Sequence, residues 1–472
     1  MTDAIVIGGG VAGLTSAFVL AHSGKTVTVI EERGTVGGLV AGAQIGGVNV
    51  DIGAESFARR AQEISELCTK LGWPVCEPEG SSWVWNGTAT PIAHGILGIP
   101  ASWDDPAAKV LDAAELERAR QDLDMDASIG AAAPNLAELV QARMGAGVLE
   151  KMVTPVAGGI HAAHPKDLDI DTVAPGLRKA LAEEGSLQAA VAKLRGTSPR
   201  PVVVQPAGGM FRLPTSLAEE VTDLGGTIST RHVATGISRV PGGEKGREDA
   251  WSVRVMQTKA GPTPADPPVP TGEMKVLTAP ILVVATGGQV AQKLLRMVPD
   301  LRDAATWNLP TGNPIAHVSL CVQNEALDNA PRGSGMLVAA GTGVEAKALT
   351  HYSAKWPWCG QALVEANGPG AHLLRVSYGR AGEIPSPTVE GALVDASKLL
   401  GVELTPDQVL EARVTHWGAS LLPHTLEHRQ RTQELRRAVA GIPGLAVVGA
   451  WVAGTGLAAV VPDALKEAKR FG

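Results

Sequence analysis

The stretch AIVIGGGVAG, residues 4–13, limits what this chain can fold into more than any other. Residues 4–7 are apolar and largely β-branched, as a strand buried on both faces of a parallel sheet must be. The segment GLTSAFVLAHSG then spaces Leu14, Ala17, Phe18 and Ala21 along one helical face and closes on Gly24, a C-terminal stop. TVTVIEE follows as a second strand, so the three pieces predict a right-handed β-α-β unit. At its first turn Gly8-x-Gly10-x-x-Gly13 has dinucleotide spacing. Gly8 permits the tight turn, Gly10 lets backbone approach a pyrophosphate, and Gly13 lets the helix pack against the strand. Val11 and Ala12 open the helix whose unpaired N–H groups would meet the phosphates. Glu31 ends the second strand, at the separation expected of an acid that accepts from a ribose hydroxyl and disfavours a 2′-phosphate. Strand, helix and acid together make the glycine spacing informative; a glycine-rich turn without ligand is the plain alternative.

With 472 residues the chain has room for two or three domains with substantial cores. Its net charge of -7 gives no electrostatic case for nucleic acid, which requires a basic face. Cys68, Cys76, Cys321 and Cys359 form no CxxC and are too few for a disulfide framework, which points to a reducing, cytoplasmic setting. The N-terminus does not read as a secretory signal. Residues 438–462 carry no charge until Asp463 and are long enough to cross a bilayer. Their five glycines and two prolines favour a buried strand, a turn and a helix from about Pro462 to Phe471 instead.

Past Glu31, the sequence EERGTVGGLVAG and then VDIGAESF resembles the extended FAD fingerprint of the flavin amine oxidase and protoporphyrinogen oxidase superfamily. The resemblance implies FAD contacts at Glu32, Arg33, Gly37 and Gly38, and at Gly53, Ala54, Glu55 and Ser56. RHVATGI resembles the superfamily strand that places Val233 at the adenine edge. APILVVATGG resembles its ATG strand, ending at Thr286 and Gly287. LAVVGAWVAGTGL is similar to its C-terminal flavin motif, with Gly449, Trp451, Gly454, Gly456 and Leu457 at the ring. Covalent flavin attachment needs Cys, His or Tyr near the ring, and residues 440–472 have none, so the FAD is expected to be non-covalent.

The segments WVWNGTATPIAHGILGIPASW, VTPVAGGIHAAHPKDLDI, GSLQAA, PAGGMFRLPTSLAEEV and SAKWP resemble bacterial-type porphyrinogen oxidases, in that family's order along nearly the whole chain. This implies an oxygen-dependent oxidase converting coproporphyrinogen III to coproporphyrin III, by three hydride transfers to flavin with release of hydrogen peroxide. Protoporphyrinogen IX is the alternative substrate. A flavin amine oxidase, a carotenoid-type desaturase and a GDP-dissociation-inhibitor-like binding protein are more distant readings. An amine oxidase usually builds a tyrosine cage, and this chain has only two tyrosines. Four substrate propionates call for cations at the pocket rim, with Arg59, Arg60 and Lys355 as candidates. His161 and His164, like His424 and His428, have metal-compatible spacing but no clear further ligand, so no metal is expected. His424 and Thr425 depart from the family, which commonly has Gln and an aromatic there. Ferrochelatase is a candidate transient partner, and peripheral membrane contact is left open.

The fold class implied is α/β: a Rossmann-like, glutathione-reductase-like FAD-binding domain split in sequence over 1–65, 205–298 and 425–472. A mixed α+β substrate-binding domain takes 66–204, helical over 105–200, and 299–424. Residues 241–249 and 261–272 read as hairpin loops, the second too proline-rich for a central strand. HVSLCVQ and LLRVSYG alternate like antiparallel strands with one covered face.

Overall fold

The computed structural model describes residues 2–161, 163–196, 202–241, 249–261, 268–309, 312–380, 382–421 and 426–472. Five parallel strands form one sheet, in the order Thr227–Ser229, Val27–Ile30, Ala4–Ile7, Ile281–Val284, Leu445–Val447. Ala4 and Val6 look into one core with Leu14, Leu217 and Val461, whereas Ile5 and Ile7 look into another with Val253, Leu294 and Leu435. Because both faces are covered, the strands Ala4–Ile7, Ile281–Val284 and Leu445–Val447 carry no polar alternation. Helices Val11–His22, Arg212–Asp223 and Leu457–Ala468 line the first core. An antiparallel sheet of His232–Val240, Ala250–Lys259 and Val269–Ala279 covers the second.

Two element boundaries differ from expectation. Residues 269–271, read as loop, pair with Gln257–Lys259, and Pro270 is tolerated because its strand lies at the sheet edge. The terminal helix starts at Leu457, not near Pro462, and Pro462 lies inside it. Gly456, with φ +95°, supplies the abrupt start, while only small Ala458 and Ala459 lie one turn before the proline ring. Among the described residues, no helix is long and apolar enough to cross a membrane.

A seven-stranded mixed sheet follows the order Val409–Leu421, Asn313–Gln323, Ala371–Tyr378, Ala348–His351, Gly335–Val338, Ser82–Trp85, Ala89–Pro91. HVSLCVQ and LLRVSYG pair antiparallel, from Ala316 opposite Tyr378 to Gln323 opposite Ala371. The expectation of one covered face fails, because His317, Ser319, Arg375 and Ser377 are buried as well. One face packs Val318, Leu320, Leu374 and Val376 against the helix Val389–Leu400. The other face is polar, and it turns toward Gly53 and Glu55 in the second part of the flavin-like fingerprint. A separate helical core holds Leu136, Leu139, Leu177 and Val191, staked by the fully buried Arg143–Asp122 pair.

Candidate active site

Bare backbone gathers where the Ala4–Ile7 and Ile281–Val284 strands end. Gly8 has φ +111°, and a Cβ on it would lie 2.6 Å from Ala285 O. A Cβ on Gly13 would overlap the Gly8 carbonyl oxygen. Those two glycines serve the chain's own packing. Gly10 is different: its Cβ would meet nothing within 4 Å, so its bareness leaves open space. The Val11–His22 helix begins there with no side-chain cap and no acid in its first turn, and its N–H groups remain available to an anion.

Glu31 is buried beside this turn. Its Oε2 accepts from Gly9 N–H at 2.7 Å and its Oε1 from Arg33 N–H at 2.8 Å. Burial raises its pKa, opposed by those two N–H groups. A carboxylate has lone pairs left over for a hydroxyl donor. The carbonyl of Glu31 also accepts from His232 N–H at 2.8 Å, which fixes the strand bearing Val233 next to the acid. Glu32 is half-buried and gives its carbonyl to Thr258, whereas the Arg33 side chain is exposed.

The double glycine forms the next piece of wall. Gly37 bridges Gly10 and donates to Gly9 O at 2.8 Å, and Gly38 lies directly over Gly10. Leu39 O then accepts from Ala54 N–H at 2.9 Å, while a Cβ on Gly53 would overlap that same oxygen. Near them are Thr286, whose buried hydroxyl has no hydrogen-bond partner among the described residues, and Gly287, whose Cβ position is open. The Leu457–Ala468 helix adds a second uncapped N-terminus without an acid in its first turn. Gly449, at φ +121°, starts the short Ala450–Ala453 helix, whose buried Trp451 packs beside Gly288 and leaves its indole N–H unpaired. Gly454, at φ +105°, ends it.

The remaining sequence candidates sit differently. Glu55 is buried between Lys355, at 2.5 Å, and Arg375, whose other terminal nitrogen donates to Gly53 O at 2.9 Å. Burial pushes the Glu55 pKa up, but Arg375 and Lys355 outweigh it and hold the group at about 2. Ser56 is half-buried beside it. Lys355 is therefore engaged with an acid, Arg59 is paired with Glu77, and Arg60 is exposed. Asp51 accepts from Met210 N–H, Phe211 N–H and the Tyr352 hydroxyl, and burial raises its pKa to about 6. Tyr378 donates to Asp395 on the sheet's other face, so neither tyrosine stands as a free cage wall.

Sequence reasoning missed the polar sheet face. His317 Nδ1 meets Ser377 Oγ at 2.9 Å, and Trp417 donates to Ile52 O at 3.2 Å. Burial, then Arg375 and Lys347, holds the His317 pKa well below its ordinary value. An arginine and a histidine among the polar positions of two alternating strands were the available signal. A groove of about 840 Å³ beside residues 34–42 and the Arg212–Asp223 helix carries Glu219 and Asp223 but no lysine or arginine, which suits no polyanionic ligand. Among the described residues no cluster of three metal-ligating side chains exists, and His428 Nε2 instead meets Trp451 O at 2.7 Å. His424 and Thr425 lie outside the described residues. All four cysteines are free.

A family model described as flavin containing amine oxidoreductase matches residues 11–471. The chain belongs to that family. Its cofactor is FAD, and the open positions at Gly10, Gly287 and Gly456, the two uncapped helix starts and the orphaned Thr286 hydroxyl fit that cofactor. Relatives of this flavin oxidoreductase include the coproporphyrinogen III oxidase of Mycobacterium tuberculosis, 28% identical over 97% of this chain and 94% of the relative. The coproporphyrinogen III oxidase of Bacillus subtilis is 24% identical over 98% and 96%. Among solved structures, a candidate protoporphyrinogen oxidase from Exiguobacterium sp. 255-15 matches with a TM-score of 0.79 at 21% identity, covering 100% of this chain and 98% of that one. Cyclohexylamine oxidase from Brevibacterium oxydans matches at 0.63 and 14% identity, covering 99% and 98%. The last two speak for the fold.

Proposed function

We propose that this flavoenzyme oxidises coproporphyrinogen III to coproporphyrin III with dioxygen as acceptor. The observation that carries the reading is the near-full-length similarity to coproporphyrinogen III oxidases, over both the flavin segments and the seven-stranded sheet. Bound FAD supplies hydride acceptance and reoxidation by dioxygen, so removing six electrons from the macrocycle yields three molecules of peroxide. The chain's part is to bind, orient and exclude water. We assign the pyrophosphate to the Gly8–Gly13 turn and the first N–H groups at Val11 and Ala12, and the adenosine to Glu31, Glu32, Arg33 and Val233. We assign the flavin end to Gly37, Gly38, Gly53–Ser56, Thr286, Gly287 and the Gly449–Leu457 turn, held without a covalent bond.

In this reading the flavin half comprises 1–65, 205–298 and 425–472, and the substrate half 66–204 and 299–424. Lys355 and Arg375 act through Glu55 to hold Gly53 against Leu39, which positions the wall next to the ring. Arg59, engaged with Glu77, and exposed Arg60 serve at most at the rim. We place the enzyme in the cytoplasm, with ferrochelatase as a transient recipient of product. The test is aerobic incubation of the FAD-loaded protein with coproporphyrinogen III and, separately, protoporphyrinogen IX, following porphyrin fluorescence against autoxidation. The expected result is faster oxidation of coproporphyrinogen III. A preference for protoporphyrinogen IX would replace the substrate assignment, and no rate above autoxidation for either would end the reading.

A further inference from the structure

Lys347 enters the seven-stranded sheet through a β-bulge. Its N–H donates to Ser377 O at 2.7 Å, while the next residue, Ala348, is itself the register partner of Ser377. Two consecutive residues thus oppose one. Such a bulge re-aims a side chain, here sending Lys347 toward the polar face of Ser377 and Arg375 while Leu349 keeps to the apolar core behind. Lys347 is only 5% exposed. Among the described residues its ammonium has neither an ion-pair partner within 4.0 Å nor a hydrogen bond. Long ammonium side chains are almost never fully buried without a partner.

The surroundings make this isolation costly. Burial lowers the Lys347 pKa to about 8, with Arg380 adding to the effect and Glu383 opposing it. His317, on the far side of Ser377 on the same face, is held neutral by burial and by Arg375 and Lys347. Glu55 is already shared between Lys355 and Arg375. Among the described residues, Lys347, Lys355, Arg375 and Arg380 share Glu55 and Glu383, with Asp51 acting on Arg375 as well, so this region holds more cations than acids and none of those acids pairs with Lys347. Meanwhile the Ser377 hydroxyl can donate to His317 Nδ1, which leaves the proton on Nε2, free to donate to an incoming acceptor.

We propose that Lys347, with His317 beside it, is the seat for one propionate carboxylate of the tetrapyrrole. The inference rests on the porphyrinogen reading above and assigns a specificity residue within it. A carboxylate supplies the missing negative charge and accepts from both Nζ and Nε2. Its position on the face that Arg375 and Glu55 hold against Gly53 sets the macrocycle between this sheet and the flavin wall.

The test is Lys347→Met, which keeps the stem and removes the charge, with Lys347→Gln as the second variant should the first fail to retain FAD. Dissociation constants for coproporphyrin III and for its tetramethyl ester are measured by fluorescence titration, without turnover. The expected result is unchanged FAD content and roughly tenfold weaker binding of coproporphyrin III, with the ester unaffected and Lys347→Arg restoring much of the loss. Wild-type affinity for coproporphyrin III in both neutral variants, or an equal loss for acid and ester, overturns the proposal while leaving the oxidase reading intact. Wild-type protein that oxidises no porphyrinogen overturns the reading first.

Discussion

Neighbouring residues of one motif do different work here, and substitutions separate them. Gly13→Ala places a methyl group on the Gly8 carbonyl, so both fold and FAD are expected to suffer. Gly10→Ala meets no atom of the described residues within 4 Å. That variant is expected to melt like the wild-type apoprotein yet lose at least roughly tenfold in FAD affinity, measured by flavin absorbance on titration, because the methyl group fills the space meant for pyrophosphate. Glu55→Gln leaves Lys355 and Arg375 buried without their acid and is expected to cost about 3–5 kcal/mol in denaturant unfolding. Because the Glu55 pKa is depressed from 4.5 to about 2, its contribution is present above pH 4.5 and is lost as pH falls toward 2. At Lys347 folding disfavours the charged form instead of favouring it, and the window lies at higher pH. Its pKa is lowered from 10.5 to about 8, so the folded state sheds that proton first and stability rises with pH across this window. Relative to Lys347→Met, the wild type is expected to gain on the order of 3 kcal/mol between pH 8 and 10.5, read from paired melts. The glycines were legible because backbone chemistry writes them at fixed spacing. Lys347 was not, because only a bulge, set by its partner strand, turns it inward.

Elements were readable in proportion to how local their causes are. Ala4–Ile7 and Val11–His22 follow from an apolar run, a helical stripe and a glycine stop within a few residues. The terminal helix was misjudged because proline reads as a start, whereas Gly456 provides it and Pro462 is absorbed over Ala458 and Ala459. Its unblocked N-terminus has a measurable consequence. Ala458→Glu puts an acid into the first turn and is expected to weaken FAD binding by about 0.3–1 kcal/mol, a rise in Kd of two- to fivefold, shrinking as salt is added. An unchanged Kd would mean that this helix end does not face the anionic cofactor. In the seven-stranded sheet, alternation of polar and apolar residues predicted water on one side. The polar side is instead buried against Gly53 and Glu55, and period-two patterning alone cannot distinguish a solvated face from a lined site.

At the scale of the molecule, strands from 4–7, 281–284 and 445–447 lie side by side, and their loop ends supply glycines, helix termini and an orphaned hydroxyl to one place. The sequence order of the flavin motifs anticipated that convergence, because a cofactor of this length must be held at both ends. The placement of the second sheet could not be read the same way, since Glu55, Lys355 and Arg375 meet only after the chain has closed on itself. The central claim is that the flavin and the reduced macrocycle face each other in this space. Anaerobic stopped-flow mixing of the FAD-loaded protein with coproporphyrinogen III tests it directly. The account predicts bleaching of the flavin absorbance together with loss of one electron pair from the porphyrinogen per flavin, before any oxygen is admitted, and completion to porphyrin only once it is. A flavin that stays oxidised in the presence of excess porphyrinogen would contradict it.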